Sequence, residues 1–282
     1  MKRTLICAAI AAIVSTGANA EDAVKNPLVE GPTWADLKYD VVEDTPLIES
    51  DALFTLAAPF RAHDAATVPI HIVQAEGSDA QIEKLTIVID ENPSPVVAEF
   101  TFGEGMGMLD LETRVRVNAY SNVRAIGTTE GGDAYMTGRF VRASGGCSAP
   151  ASKDAAAALA SIGKMKLRQL DKLIQTAQPL QSTPDPDGPR RVAQIMIKHP
   201  NYSGLSRDQI THLFVLARFI DELEVFQGEE LLFRMEAGIS ISEDPSFRFT
   251  YTDNGSDTLR VRAIDTEGEV FEQSFNKTAI SM

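Results

Sequence analysis

The sequence predicts an all-β protein built from two antiparallel sandwiches that are joined by a connector with a short helix. Residues 53–142 consist largely of β-branched and aromatic runs separated by turn residues. A second set of such runs fills residues 192–275. Between the two sets, residues 154–161 are rich in alanine, the residue with the highest helix propensity. Together these observations predict two sandwich domains.

In the first half, the predicted strands are 68–73, 85–89, 96–102, 114–119 and 135–141. The turns 92–95 (NPSP) and 130–133 (EGGD) separate neighbouring strands. In the strand 114–119, Val115 and Val117 share one face. Arg114, Arg116 and Asn118 share the other face. This strict alternation is typical of a strand with one apolar side.

In the second half, the predicted strands are 192–197, 231–237, 247–252, 258–263 and 270–275. Asn254-Gly255 and Glu267-Gly268 supply hairpin turns. Residues 164–170 are a candidate first strand of this domain, and residues 214–223 fit either a strand or a short helix. Residues 178–189 are rich in Pro and Asp, which predicts an exposed loop. Ahead of the first sandwich, Trp34 and residues 21–50 predict an extended arm that wraps it.

The first twenty residues have the pattern of a cleavable export signal. Lys2 and Arg3 precede the apolar run 5–14, and Ala18-Asn19-Ala20 supplies a small-x-small cleavage site. The run is shorter than the roughly 20 apolar residues that span a bilayer. We therefore expect cleavage after Ala20 and a periplasmic protein. The expected division is 1–20 signal peptide, 21–150 first sandwich, 151–189 connector with the short helix and a first strand, and 190–282 second sandwich.

Composition excludes several classes of function. The formal net charge of −14 argues against nucleic acid and against anionic membrane surfaces, both of which attract basic patches. The four histidines (His63, His71, His199 and His212) do not have the spacing of a metal site. Phosphate loops, dinucleotide fingerprints and serine elbow motifs are absent from the sequence. We expect no metal, no cofactor and no catalytic residues.

Cys147 is the main candidate site, because the other cysteine, Cys7, lies in the predicted signal. An exported chain with a single thiol has no intramolecular disulfide partner for it. Gly145 and Gly146 precede Cys147 and give the backbone wide conformational freedom, which predicts a flexible arm. Arg142 and Lys153 are candidates to lower the thiol pKa or to attract an anionic cargo.

Two alternative roles for this thiol stay open. A structural thiol packed in the sandwich is one, although the residues around Cys147 are not core types. An intermolecular disulfide is the other. The sequence of the segment indicates a loop thiol tethered at both ends.

Several stretches in a fixed order resemble two subunits of a sulfur-oxidation carrier. RAHDAATVPI (61–70), ENPSP (91–95) and VRASGGC (141–147) resemble the cysteine-bearing subunit family, SoxY. IKHPNYSGL (197–205), ISEDPSFRF (241–249) and DTEG (265–268) resemble the companion family, SoxZ. Fused in this order, the halves are similar to SoxYZ-like carriers associated with quinoprotein dehydrogenases.

The resemblance implies two immunoglobulin-like sandwiches and a non-enzymatic carrier. Cys147 would hold a small sulfur-containing cargo covalently, as in thiosulfate oxidation, on an arm formed by Gly145 and Gly146. The partners would be periplasmic redox enzymes, either c-type cytochromes or quinoprotein dehydrogenase systems. This chain departs from the family pattern after the cysteine, where Ser148-Ala149-Pro150 and a second domain replace a free glycine tail. The alternative function is an accessory module of a quinoprotein (PQQ) alcohol dehydrogenase system without covalent cargo.

Overall fold

The structure is a computed structural model that describes residues 26–78, 80–150, 155–170, 189–208 and 211–277. The predicted export signal, Lys153 and residues 178–188 of the predicted loop lie outside these residues. Within them, no helix is long and apolar enough to cross a membrane.

The described residues form a mostly β structure with few helices, which confirms the predicted fold class. The helices are α1 (Pro32–Val42) and α2 (Ala155–Ala160), and a short 3-10 turn spans Glu104–Met106. The strands of the first half are β1 (Leu47–Glu49), β2 (Phe54–Ala57), β3 (Val68–Gln74), β4 (Ile82–Ile89), β5 (Val96–Phe102), β6 (Asp110–Val115), β7 (Ser121–Thr129) and β8 (Ala134–Val141). Those of the second half are β9 (Met165–Gln169), β10 (Arg190–Ile197), β11 (Ile220–Gln227), β12 (Glu230–Ala237), β13 (Ser246–Thr252), β14 (Thr258–Asp265) and β15 (Val270–Asn276).

The two immunoglobulin-like halves are joined edge to edge through both of their sheets. The nine-stranded sheet has the order β1-β8-β7-β4-β5-β12-β11-β14-β15, and the six-stranded sheet has the order β2-β3-β6-β13-β10-β9. The junctions are the antiparallel pairs β5–β12 and β6–β13, each of which takes one strand from each half. We call the region where these two junctions lie the seam.

One hydrophobic core runs through both halves and crosses the seam. Phe100 on β5 lies 6.1 Å from Phe233 on β12 and 6.4 Å from Phe247 on β13, measured between ring centroids. Phe233 in turn packs edge-on against Phe249 at 5.1 Å. All four rings are buried, and aromatic pairs at these separations add stability beyond the area that they bury. The relative position of the halves is therefore fixed by core packing as well as by backbone hydrogen bonds.

Helix α1 replaces the extended arm that the sequence predicted around Trp34, so that prediction was wrong. Pro at the start of the helix fits its first turn, where no amide donor is needed. Trp34 and Val41 pack on a small buried cluster that contains Ile126 of β7, on the outer face of the nine-stranded sheet. The Arg124 guanidinium lies over the Trp34 ring at 4.4 Å. Because α1 covers this face, β7 is buried almost throughout, including its polar residues Asn122 and Arg124.

Strand β6 ends earlier than predicted. The alternating run 114–119 predicts a strand, but β6 stops at Val115. Beyond it, the amide of Arg116 donates to the Ser240 carbonyl at 2.7 Å, and the amide of Val117 donates to the Ala65 carbonyl at 2.8 Å. The chain leaves the sheet here because its backbone groups bind the second half and a neighbouring loop instead.

Candidate functional site

Cys147 lies in a turn that follows β8, and its side chain is buried at the seam. Its exposed fraction is 0 %, and it is the free cysteine of the described residues. The sequence indicated a loop thiol tethered at both ends and left a thiol packed in the sandwich open as an alternative; in the structure the loop thiol is buried. The sequence could not show the burial, because Ser203 and Ser240, which interact with Cys147, belong to the second half of the chain.

The two glycines before Cys147 are held in a docked turn. The amide of Gly145 donates to the Asn118 carbonyl at 2.8 Å, and the amide of Gly146 donates to the Val117 carbonyl at 3.1 Å. Gly145 has φ +79°, a conformation that L side chains rarely adopt. A Cβ on Gly146 would lie 2.6 Å from the Val117 carbonyl oxygen and closer still to that of Ala65. The docked turn therefore favours glycine at both positions. The flexible arm stays a prediction, and it concerns a state in which residues 145–147 have left the seam.

Three serines of the second half, Ser203, Ser240 and Ser242, interact with the first half near Cys147, and we call them the serine wall. The Ser203 hydroxyl donates to the Cys147 carbonyl, and the Ser240 side chain favours the thiolate form of Cys147. The Ser242 hydroxyl donates to the Ala66 carbonyl at 2.7 Å. The sequence did not single out these residues one by one. Ser203 and Ser242 nevertheless lie in two of the stretches that carry the SoxZ resemblance, and that was the available signal.

Asn92 is a residue of the first half that hydrogen-bonds with Ser240 of the serine wall. Its Nδ2 donates to the Arg116 carbonyl at 2.7 Å and to the Ser240 hydroxyl at 2.9 Å. Its Oδ1 accepts the amide of Asn118 at 2.8 Å. The side-chain amide of Asn92 is buried, and both its nitrogen and its oxygen are hydrogen-bonded. It therefore holds the backbone of residues 116–118, to which the amides of Gly145 and Gly146 donate. Asn92 belongs to the stretch 91–95, which carries part of the SoxY resemblance.

The environment of Cys147 disfavours the thiolate. Burial raises the pKa of the Cys147 thiol, and the Arg116 guanidinium and the hydrogen bond with Ser240 oppose this only in part. The thiolate is the nucleophile, so the docked thiol is protonated and weakly reactive at neutral pH. The cation acting on the thiol is Arg116, whereas the sequence proposed Arg142. The Arg142 guanidinium instead lies over the Phe60 ring at 4.6 Å.

His199 is a second buried ionisable group, and it lies in the same loop as Ser203. His199 Nδ1 accepts the amide of Asn201 at 3.0 Å, and its Nε2 lies 3.4 Å from Asp265. Burial lowers the pKa of His199, although Asp265 favours its charged form. Burial alone would raise the pKa of Asp265, but hydrogen bonds from Arg218 at 2.8 Å, from the Glu269 amide and from His199, together with the charge of Arg218, lower it. These contacts join loops of the second half and give His199 a structural role.

The other histidines lie on one strand and in two loops. His71 on β3 pairs with Asp110 at 2.8 Å. His63 lies in a loop of the first half and His212 in a loop of the second. Among the described residues, no group of three or more His, Cys, Asp or Glu side chains could hold a metal ion.

Two family models match this chain. The model "Sulfur oxidation protein SoxY" covers residues 38–147, and "Sulphur oxidation protein SoxZ" covers residues 182–276. The first match ends on Cys147. The second includes the serine wall described above. A search of curated proteins finds no match.

Solved structures resemble parts of the chain. The sulfur carrier protein SoxY from Chlorobium limicola f thiosulfatophilum is 25% identical, with a TM-score of 0.33 over 40% of this chain and 97% of that one. A superoxide reductase (neelaredoxin) from Ignicoccus hospitalis is 10% identical, with a TM-score of 0.30 over 34% of this chain and 93% of that one.

Proposed function

Starting from a SoxY domain and a SoxZ domain fused in one SoxYZ-like chain, we propose that this protein is a non-enzymatic carrier. Cys147 takes up a small sulfur-containing group covalently and presents it to periplasmic redox enzymes. The partners that we propose are c-type cytochromes or quinoprotein dehydrogenase systems. Export through the signal 1–20, and the division into domains 21–150 and 190–282 with a connector between them, are parts of the same proposal.

One observation carries this proposal. The SoxY match ends on a cysteine that is the free thiol of the described residues and that follows two glycines in a turn. A carrier thiol needs a thin backbone next to it, so that it can enter another protein's active site. The Gly-Gly pair meets this need, because neither residue has a side chain.

Loading requires that the turn leaves the seam. In the docked state the thiol is buried and protonated, so no enzyme or reagent reaches it there. Residues 145–147 are held by hydrogen bonds from Arg116, Ser203 and their own amides. A short segment held in this way opens locally at less free energy than global unfolding costs. The companion domain therefore covers the thiol between encounters.

The loading step can be written for thiosulfate. The thiol loses its proton, its sulfur bonds to the outer sulfur of thiosulfate, and the product is a Cys147 thiosulfonate. Bond formation releases the proton and two electrons, which pass to haem groups of a c-type cytochrome partner. This oxidant is part of the proposal, because a cysteine alone cannot accept the electrons.

A Cys147→Ser strain of the native host tests this function. Serine has a similar size and accepts no sulfur group, so we expect loss of growth on thiosulfate while the protein is still made and exported. A Ser144→Ala strain, which changes an exposed serine of the same segment, is the matched control. Full growth of the Cys147→Ser strain on thiosulfate would contradict the carrier.

The burial of Cys147 favours a second candidate function. A thiol with no exposed surface fits a protein that never loads cargo and serves as an accessory module of a quinoprotein (PQQ) alcohol dehydrogenase. The same strains separate the two candidates. The accessory module predicts that deleting the whole gene impairs growth on alcohol, while Cys147→Ser has no effect on any substrate.

A further inference from the structure

Arg116 is a buried cation at the seam. It follows the last residue of β6, and only 2 % of its surface is exposed. Its amide donates to the Ser240 carbonyl, so its backbone is fixed against the second half. Its neighbour on the same predicted face, Arg114, is exposed.

The guanidinium of Arg116 contacts neutral acceptors. Nη1 donates to the Gly146 carbonyl at 3.2 Å, and Nη2 donates to the Asn201 carbonyl at 3.2 Å. Nε is buried and has no hydrogen-bond partner among the described residues. Within the same residues, no ion pair joins Arg116 to a carboxylate. Glu243 and Asp64 attract it only over a longer range.

Other buried arginines of this protein are paired differently. Arg124 lies 2.8 Å from Asp90, and Arg191 lies 3.0 Å from Asp253, in both cases with little exposure of either side chain. A buried cation is costly unless an anion compensates it. Arg116 has no such carboxylate partner among the described residues, and it lies close to Cys147, the residue that would carry a covalently bound group. Its Nη1 holds the carbonyl of the residue directly before Cys147.

We propose that Arg116 is an anion-binding residue that selects negatively charged sulfur groups, such as sulfonates and thiosulfonates, at Cys147. The proposal rests on the proposed function of this cysteine. In the docked state Nε lacks an acceptor among the described residues and the guanidinium acts on Cys147, so a group carried by the docked cysteine meets a cation with an open donor. An oxygen of a sulfonate can accept from Nε–H while its negative charge compensates the guanidinium, and such charge-assisted hydrogen bonds are stronger than neutral ones. A neutral cargo gains less, because it supplies no compensating charge.

Two alkylating reagents of nearly equal size test the charge preference. Iodoacetate is an anion and iodoacetamide is neutral; the thiolate displaces iodide from each, and the sulfur then carries a negatively charged carboxymethyl group or a neutral carbamoylmethyl group. We would measure the ratio of their rates with Cys147 in the full chain, normalised to the same ratio for the urea-unfolded protein. The opening of the turn affects both rates equally, so the ratio reports the local charge alone.

Arg116→Gln should lower this ratio by about ten-fold, since a hydrogen bond to a charged group contributes roughly that factor. Arg114→Gln is the matched control and should leave the ratio unchanged. An unchanged ratio in Arg116→Gln, or an equal fall in Arg114→Gln, would overturn the proposal.

A second measurement needs no variant, so a folding defect in Arg116→Gln does not affect it. Wild-type protein fully alkylated by iodoacetate should melt about 2–4 °C above the iodoacetamide adduct, which corresponds to about 1 kcal/mol for a chain of this size. An equal or lower melting temperature of the iodoacetate adduct would overturn the proposal. Both adducts are made chemically, so the result does not depend on whether the host loads Cys147. The Cys147→Ser strain tests that question separately.

Discussion

Replacing Gly146 by alanine should release Cys147 from its buried position. In the docked turn the new Cβ would lie 2.6 Å from the Val117 carbonyl oxygen, and nearer still to the Ala65 oxygen. Both obstacles are backbone atoms held by hydrogen bonds, because the amide of Val117 donates to the Ala65 carbonyl at 2.8 Å. Neither can rotate away as a flexible side chain would. The turn must shift or open.

The size of the effect follows from overpacking. An extra methyl group in a well-packed site costs about 1–3 kcal/mol. Since about 1.4 kcal/mol is a factor of ten, the open fraction of the turn should rise by roughly five-fold to one hundred-fold. The undocked state itself tolerates alanine, so the whole cost falls on the docked state. The rate at which Cys147 reacts should rise by the same factor.

The assay is the rate of iodoacetamide alkylation of the full chain at neutral pH, followed by intact mass. Urea unfolding of each variant separates opening of the turn from global unfolding. Gly131→Ala is the matched control, because its Cβ would meet only the Thr129 hydroxyl at 3.6 Å, an ordinary contact. Labelling of Gly146→Ala at the wild-type rate would refute the reasoning. So would a wild-type rate equal to that of unfolded protein.

Three further predictions concern the same region. Ser203→Ala removes the donor to the Cys147 carbonyl, at a cost of about 1 kcal/mol, so alkylation of Cys147 should become about five-fold faster; an unchanged rate would contradict this. Burial raises the pKa of Cys147, so the docked turn is stabilised while the thiol is protonated. This stabilisation is lost as pH rises through the raised pKa. The alkylation rate of native protein should therefore keep rising above about pH 8.5, where the rate of urea-unfolded protein levels off. Identical dependences of the two rates on pH would contradict the burial of the thiol. Burial lowers the pKa of His199, so the free energy of unfolding, measured in urea, should fall as pH drops below about 6.5. His199→Gln should be less stable at pH 7.5 but lose less stability on acidification, and an unaltered pH dependence would contradict this assignment.

The sequence predicted the fold well because the strands carry local signals. Runs such as 96–102 and 258–263 combine β-branched and aromatic residues with turn residues at their ends, and both are strands in the structure. Residues 214–223, left open between strand and helix, run into β11, which begins only at Ile220. Helix α1 was missed because none of its residues is fully buried, so its sequence shows no strong apolar stripe.

The environment of the site could not be predicted, because it depends on contacts between distant parts of the chain. Cys147 could be identified from the sequence, because two glycines precede it and the other cysteine lies in the predicted signal. Ser203 and Ser240 lie far from it in sequence, and only the pairing of the two halves brings them to the thiol. Arg116 looked like one polar residue of an alternating strand. Its burial follows from the second half covering that face.

The most direct test of the carrier is the intact mass of the full chain purified from its host without reducing agents, with the modified peptide mapped. We expect a discrete sulfur-containing adduct on Cys147 in cells oxidising thiosulfate, removable by a thiol reagent. In cells grown without reduced sulfur we expect an unmodified chain. A free Cys147 under every growth condition would contradict the carrier function.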